Sequence, residues 1–271
     1  MIEQFFQIMT LPLLACFVLT GIHAYLGLHV IEREVIFVDL ALAQIAALGA
    51  SLALIFGYGL DSPHSYWLSL GFTIIGAAIF SLTRFRKQLI PQEAMIGIVY
   101  VVSAAFLILV LSRSGEGDEH IRQSLVGNIL LVPASEVWKI FGIYSVVGLF
   151  HYVCRNKFFL ISQNPEKAFR NGINVRLWDF LFYASFGLVV TSSVKIAGVL
   201  LVFSFLIVPS ACAILFSDKP KNRLMLGWTI GFLASVFGMV VSYYLDFPTG
   251  ASVVCIFGII LVLLAFYKKL I

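Results

Sequence analysis

Lys195-Ile-Ala-Gly-Val-Leu-Leu-Val-Phe-Ser-Phe-Leu-Ile-Val-Pro209 carries one charge, at its first residue, and the chain then runs on to Phe216 without another. A helix rises about 1.5 Å per residue, so about 20 apolar residues cross the roughly 30 Å hydrocarbon core of a bilayer. A run of this length and character reads as a membrane span. Comparable runs lie near 8–30, 35–57, 66–83, 94–112, 137–154, 178–193, 224–244 and 250–267.

The composition agrees: 61% hydrophobic residues, 12% charged residues and a mean hydropathy of +1.00 lie outside the range of water-soluble globular domains. The expected fold is all-α, a polytopic integral membrane protein of about nine transmembrane helices, with eight to ten as the range, forming a single transmembrane domain over 1–271. Little chain is left for a soluble catalytic domain. No Gly-x-x-x-x-Gly-Lys-[Ser/Thr] phosphate loop occurs, so any ATP hydrolysis that drives this protein belongs to another polypeptide. The first run follows Glu3 without a basic segment and reads as a retained helix rather than a signal peptide. Cys16, Cys154, Cys212 and Cys255 fall within or beside spans and form no Cys-x-x-Cys pair, which suits packing rather than zinc or redox chemistry.

Charge sets the orientation. With the carboxyl terminus inside and loops alternating, fourteen of the eighteen basic residues are cytoplasmic, and only Arg113, Arg122, Lys139 and Lys195 fall outside. Lys and Arg enrich cytoplasmic loops, so nine spans with the amino terminus outside fit the rule. The weakest point is the pair 178–193 and 196–216, with Lys195 at the corner: two spans, or one span plus a re-entrant or broken helix. The net charge of +4 needs no nucleic acid, because the excess is a topology signal and an attraction to anionic lipid.

Two loops are long enough to act. The outside one places Glu116, Asp118, Glu119 and His120 within five positions, which is either a solvated turn or a weak holder of a hard divalent cation. The inside one, 161–175, has a helix start at Asn164 before Pro165 and a stop at Gly172. Between them Glu166, Lys167, Ala168, Phe169 and Arg170 make a short amphipathic helix, suited either to docking a partner protein or to lying on lipid headgroups. Asp39 is the one acidic residue read as lying inside a span, where a carboxylate near the centre costs about 2.5–3.5 kcal/mol. Ala41, Ala43, Ala46, Ala47, Gly49 and Ala50 let another helix come close, so this stretch should face protein or a cavity. Asp39 therefore lines a polar path, joins a structural ion pair or caps the helix. His23, His29 and His151 read as satisfied buried or interfacial histidines, and Gly227 and Gly231 as a close-crossing pair serving either a dimer seam or internal packing.

In this order along the chain, Glu34 to Gly49, Pro91-Gln-Glu-Ala-Met-Ile-Gly97, Leu125-Val-Gly-Asn-Ile-Leu130, Asn164-Pro-Glu-x-Ala-x-x-x-Gly172, Lys195 to Pro209 and Asp246-Phe-Pro-Thr-Gly250 resemble segments of the ABC-3 permeases of manganese, zinc and iron ABC importers. The resemblance implies a permease homodimer in the prokaryotic cytoplasmic membrane, two copies of a cytoplasmic ABC ATPase that carry the ATP, an extracytoplasmic metal-binding protein and a divalent metal ion as cargo. It implies coupling to the ATPase through Pro165, Glu166, Ala168 and Gly172. The family pattern carries an Asp and a His four residues apart in the second helix. Aligned on Gly49, Leu40 stands at the Asp position and Gln44 at the His position, with Asp39 one residue early. On a regular helix Asp39 and Gln44 lie about 140° apart, so they chelate together only if the helix is unwound. An ion-coupled secondary transporter would be expected to carry inverted repeats and charges in both halves, and an intramembrane enzyme would need a convergent set of acids or metal ligands; neither pattern is found.

Overall fold

The computed structural model describes residues 2–59, 62–84, 90–112 and 125–270. The outer-loop residues Glu116, Asp118, Glu119 and His120 lie outside the described residues. Among the described residues ten α-helices follow one another: α1 Ile2–Glu32, α2 Val38–Ile55, α3 Pro63–Leu82, α4 Gln92–Leu111, α5 Ala134–Val153, α6 Arg155–Gln163, α7 Pro165–Arg170, α8 Val175–Phe216, α9 Pro220–Leu245 and α10 Thr249–Leu270. A 3-10 turn, Ile129–Leu131, precedes α5, and no strand occurs among the described residues. In a bilayer every backbone amide and carbonyl must find a partner within the protein, which is why apolar runs of this length fold as helices.

Among the described residues, seven helices are long and apolar enough to cross a membrane, and α5 with α6, bent by 75° at Cys154, makes an eighth candidate. The expected spans 178–193 and 196–216 lie in α8, a 42-residue element made of two helical stretches that meet at a kink, close to the expected corner at Lys195. At about 1.5 Å per residue its 42 residues supply enough helix for two crossings of the hydrocarbon core. It is interrupted at Gly198, where φ is +74° and ψ is +160°. Only glycine adopts that region without strain, so the break falls there rather than at Lys195.

The chain divides into two compact units. One comprises Met1–Ile31, Leu125–Gly148 and Ser193–Ile271, and the other Glu32–Ser124 and Leu149–Ser192. In the first, α9 lies against α1 and α8: a Cβ on Gly231 would meet the Thr20 methyl at 2.6 Å, and one on Gly227 the Ala24 Cβ at 3.4 Å. The Gly227/Gly231 pair thus serves packing inside this chain. In the second unit, Gly49 of α2 sits against the α3 backbone, 2.7 Å from the Leu68 carbonyl by the same measure, and Gly76 of α3 receives the Ile45 side chain. The small residues of α2 are therefore used by α3, and 56% of the apolar window of α2 is buried against 22% of that of α4. The apolar side chains exposed on α4, such as Val101, Phe106, Ile108 and Leu109, form a surface that suits lipid.

Candidate functional site

Asp39 is the second residue of α2, in its first turn and not near a helix centre, and it is buried. α2 is a regular helix from Val38 to Ile55, so Asp39 and the half-buried Gln44 face different directions within one chain. Leu40, at the expected aspartate position, brings no ligand. The neighbour of Asp39 is instead Glu93 in the first turn of α4, whose Oε1 accepts a 2.9 Å hydrogen bond from the Phe37 amide at the start of α2. Glu93 thus caps α2 from another helix, two residues before Asp39. Asp39 Oδ1 and Glu93 Oε2 are both buried without a hydrogen-bond partner.

A second acidic residue is buried in a candidate span. Asp179, in the second turn of α8, accepts from Arg33 Nη1 at 2.7 Å on one oxygen and from Arg84 Nη1 at 2.9 Å on the other. Arg33 also donates from Nε to Ser162 Oγ of α6 at 2.8 Å and lies 4.0 Å over the Phe182 ring. The end of α1, the segment after α3, α6 and α8 are tied at one point, and burial strengthens each of these charge-assisted bonds.

The helix α7 stands beside this knot. Asn164 Oδ1 accepts from the Lys167 amide at 2.9 Å, Pro165 occupies the first helical position, and Gly172, at φ +72°, ends the turn, as the sequence indicates. Ala168 is fully buried against Ile161 and Val175, with Phe169 and Trp178 packed around them, so α7 is anchored by its smallest side chain. Glu166 and Arg170 form an exposed i,i+4 pair at 3.5 Å and leave a charged face open. Of the four residues expected to couple, Ala168 is an anchor and Glu166 is surface.

Three of the resembling segments meet elsewhere, in the first unit. The Asn128 amide donates to the Ile196 carbonyl at 3.2 Å, next to the break in α8, and so satisfies a backbone group beside the interruption. Gly127, itself at φ +63°, faces Gly198 backbone to backbone, so a Cβ on either would overlap the other's chain. Gly250, from the Asp246–Gly250 turn, approaches the Val126 carbonyl, 3.3 Å from a Cβ placed on it. The buried histidines have local partners. His23 Nδ1 donates to the Leu19 carbonyl, which leaves Nε2 to accept from Ser193, and Ser193 accepts from Tyr144 at 2.5 Å. His151 bonds Ser185 at 2.8 Å and stacks on Phe158, while His29 packs edge-on against Tyr25. Among the described residues no group of three His, Cys, Asp or Glu side chains converges as a metal site.

Residues 5–268 match the model of the ABC 3 transport family. The chain belongs to that family. It is similar to the manganese transport system membrane protein MntC of Listeria innocua, 30% identical over 205 residues that cover 72% of each chain. It is similar also to the manganese import system permease protein ScaB of Streptococcus gordonii, 24% identical over 94% of this chain and 91% of that one. In fold it resembles PsaBC from Streptococcus pneumoniae in complex with Fab, with a TM-score of 0.79 and 21% identity over 97% of this chain and 95% of that one. The family expected from the sequence motifs is the family matched. In this ABC 3 chain those motifs fall at contacts: Glu34–Gly49 meets 91–97 through Phe37 and Glu93, and 125–130 meets 195–209 and 246–250 through glycines.

The sequence reading missed Asp179 and gave Glu93 no role. Asp179 sits at the edge of an apolar run three residues after Arg176, which suggests an ordinary surface pair. Its true partners lie 146 and 95 residues away, and only the tertiary fold brings them there.

Proposed function

We propose that this multi-pass membrane protein is the permease subunit of an ATP-binding-cassette importer, a single transmembrane permease domain that carries a divalent transition metal ion. Nine spans, with α8 counted twice and the amino terminus outside, remain our reading of the topology. The cargo is manganese, zinc or iron. The ATP is hydrolysed by two copies of a separate cytoplasmic subunit, an extracytoplasmic protein delivers the metal, and two permease chains in a prokaryotic cytoplasmic membrane surround the path. The observation that carries this reading is α7, a capped helix anchored through Ala168 with its charged face open beside the Arg33–Asp179–Arg84 knot. A partner that grips α7 differently before and after ATP hydrolysis shifts the population of inward- and outward-open states through a rigid base. Asp39 is the acidic residue of α2 that we place on the path, with Gln44 contributing from another face of the same helix.

The test is uptake of radioactive manganese, with zinc and iron as competitors, into vesicles containing the permease, its ATPase and the delivery protein. Uptake that needs all three components and ATP supports the reading. Transport by this chain alone, driven by an ion gradient, would overturn it.

A further inference from the structure

The end of α5 and the start of α6 set an apolar stripe beside two cations. Leu149, Tyr152 and Val153 fall at i, i+3 and i+4 of α5, so they share one helix face, and all three are exposed. Arg155 and Lys157 open α6 and are exposed too. The Arg155 guanidinium is held at the end of the stripe: Nη1 donates to the Tyr152 carbonyl at 2.8 Å, and Cζ stands 4.5 Å from the centre of the Tyr152 ring. Lys157 Nζ lies 4.4 Å over the Trp178 ring. Among the described residues no carboxylate pairs with either cation. A helix start favours acids over bases, and the first turn of α6 has no acid, so these two charges do not serve the helix they begin. The bend itself is fixed, because the buried Phe158 stacks on His151 at 4.4 Å and meets Phe150 and Trp178 edge-on. With Phe158 and Ile161 turned into the protein, α6 leaves its cationic side open.

The geometry points to a site for an anionic phospholipid at this bend, with Arg155 and Lys157 on the phosphate and an acyl chain along Val153 and Leu149. The bond to Tyr152 uses one N–H of Arg155 and leaves the rest of the guanidinium fork open, and such a fork matches two phosphate oxygens. The Lys157 ammonium adds a point charge beside it. The two rings position both side chains without neutralising them. The inference rests on the permease reading, which places this end of α5 at the inner face, where the negative potential of the leaflet attracts Lys and Arg. A soluble anion or a protein partner would answer the cations and leave the stripe bare, whereas a phospholipid answers both. The site also reaches the transport machinery. Ser162, near the far end of α6, accepts from Arg33 Nε at 2.8 Å, and Asn164 then caps α7, so a lipid on the first turn of α6 steadies the base from which α7 is displayed.

The experiment measures lipid retention by the purified full-length chain in detergent, by native mass spectrometry. The probes are phosphatidylglycerol and phosphatidylcholine with identical acyl chains, offered in equal amounts. The unmodified chain should retain phosphatidylglycerol in preference. Arg155→Gln and Lys157→Gln should each lower that preference about fivefold, as expected for one cation removed from an anionic headgroup. Val153→Ser, which leaves both charges in place, should shorten retention of phosphatidylglycerol. Every altered side chain is exposed, and a melting curve on each sample verifies folding. An excess of glycerol phosphate, the headgroup chemistry without acyl chains, should displace nothing. Equal retention of the two lipids by the unmodified chain, or an undiminished preference in the folded Arg155→Gln/Lys157→Gln double variant, would overturn the inference and assign the cations to a protein partner. Displacement by glycerol phosphate, or unchanged retention in Val153→Ser, would overturn it in favour of a soluble anion. The assay needs neither ATP nor metal, so those outcomes leave uptake by the assembled importer untouched. Failed uptake by a chain that retains phosphatidylglycerol would count against the permease reading alone.

Discussion

Two junctions in this molecule are fixed by opposite means. Around Asp179, four segments are tied by side chains reaching 95 to 146 residues along the sequence, with charge inside the protein and every bond directional. Around Gly198, the interruption of α8 is held by an absence of side chains, so that the backbone of Gly127 rests on it and the Asn128 amide reaches the Ile196 carbonyl. A charged knot fails when one partner is removed and the rest are stranded. A glycine contact fails when anything is added. The first tolerates replacement of the whole set by apolar groups, and the second tolerates nothing larger than hydrogen.

The sharpest way to break the first junction is Asp179→Asn. It strands two buried guanidiniums, and loss of one member of a buried ion pair costs about 3–5 kcal/mol. The expected result is a melting temperature far below that of the unmodified chain in detergent, with poor expression. Replacing Asp179, Arg33 and Arg84 together by leucine should recover most of that stability, and a triple variant as unstable as the single would mean the site is more than an ion pair. Next in size is Gly198→Ala at the second junction. A non-glycine residue in that backbone region costs about 1–3 kcal/mol, before the overlap with Gly127 is counted. Melting curves of Gly198→Ala, Gly127→Ala and the double variant should show losses that do not add, because either Cβ already opens the same contact. Additive losses would mean the two glycines act separately.

The difference between the junctions also decided what could be read in advance. Apolar runs located the helices, since hydropathy is a local property, and Asn164, Pro165 and Gly172 announced α7 because capping and stopping are local chemistry. The break between 178–193 and 196–216 was legible to within a few residues, at Lys195, but its placement at Gly198 was not, because the role of that glycine is visible only once Gly127 is seen against it. Arg33 and Arg84 were counted as topology signals, which is a statistical use of charge that says nothing about which charges go inside. Asp39 stood out because it is an acid among apolar residues. Its neighbour Glu93 did not, because an acid in the first turn of a helix is the ordinary place for one.

Smaller effects test whether the charged knot serves α7. Ala168→Leu forces three extra heavy atoms toward Ile161 and Val175, and overpacking of a filled core costs about 1–3 kcal/mol. α7 should then shift on its base, and ATP hydrolysis by the assembled transporter should continue with reduced metal uptake. Uptake at the unmodified rate in Ala168→Leu would show that the position of α7 does not matter.

Glu166→Ala is expected to have the smallest effect on stability and is the cleanest test of the face itself. The Glu166 side chain is 81% exposed, and among the described residues it pairs with Arg170 at 3.5 Å, a surface pair of a kind worth about 0–1 kcal/mol. Its melting curve should therefore overlay that of the unmodified chain. If a partner grips the charged face, metal carried per ATP hydrolysed should nevertheless fall several-fold, and Glu166→Gln, which keeps size and hydrogen bonding, should recover part of it. A variant that melts normally and transports normally would assign the charged face of α7 to lipid headgroups, leaving Ala168 and the Asp179 knot to hold a helix that no protein partner reads.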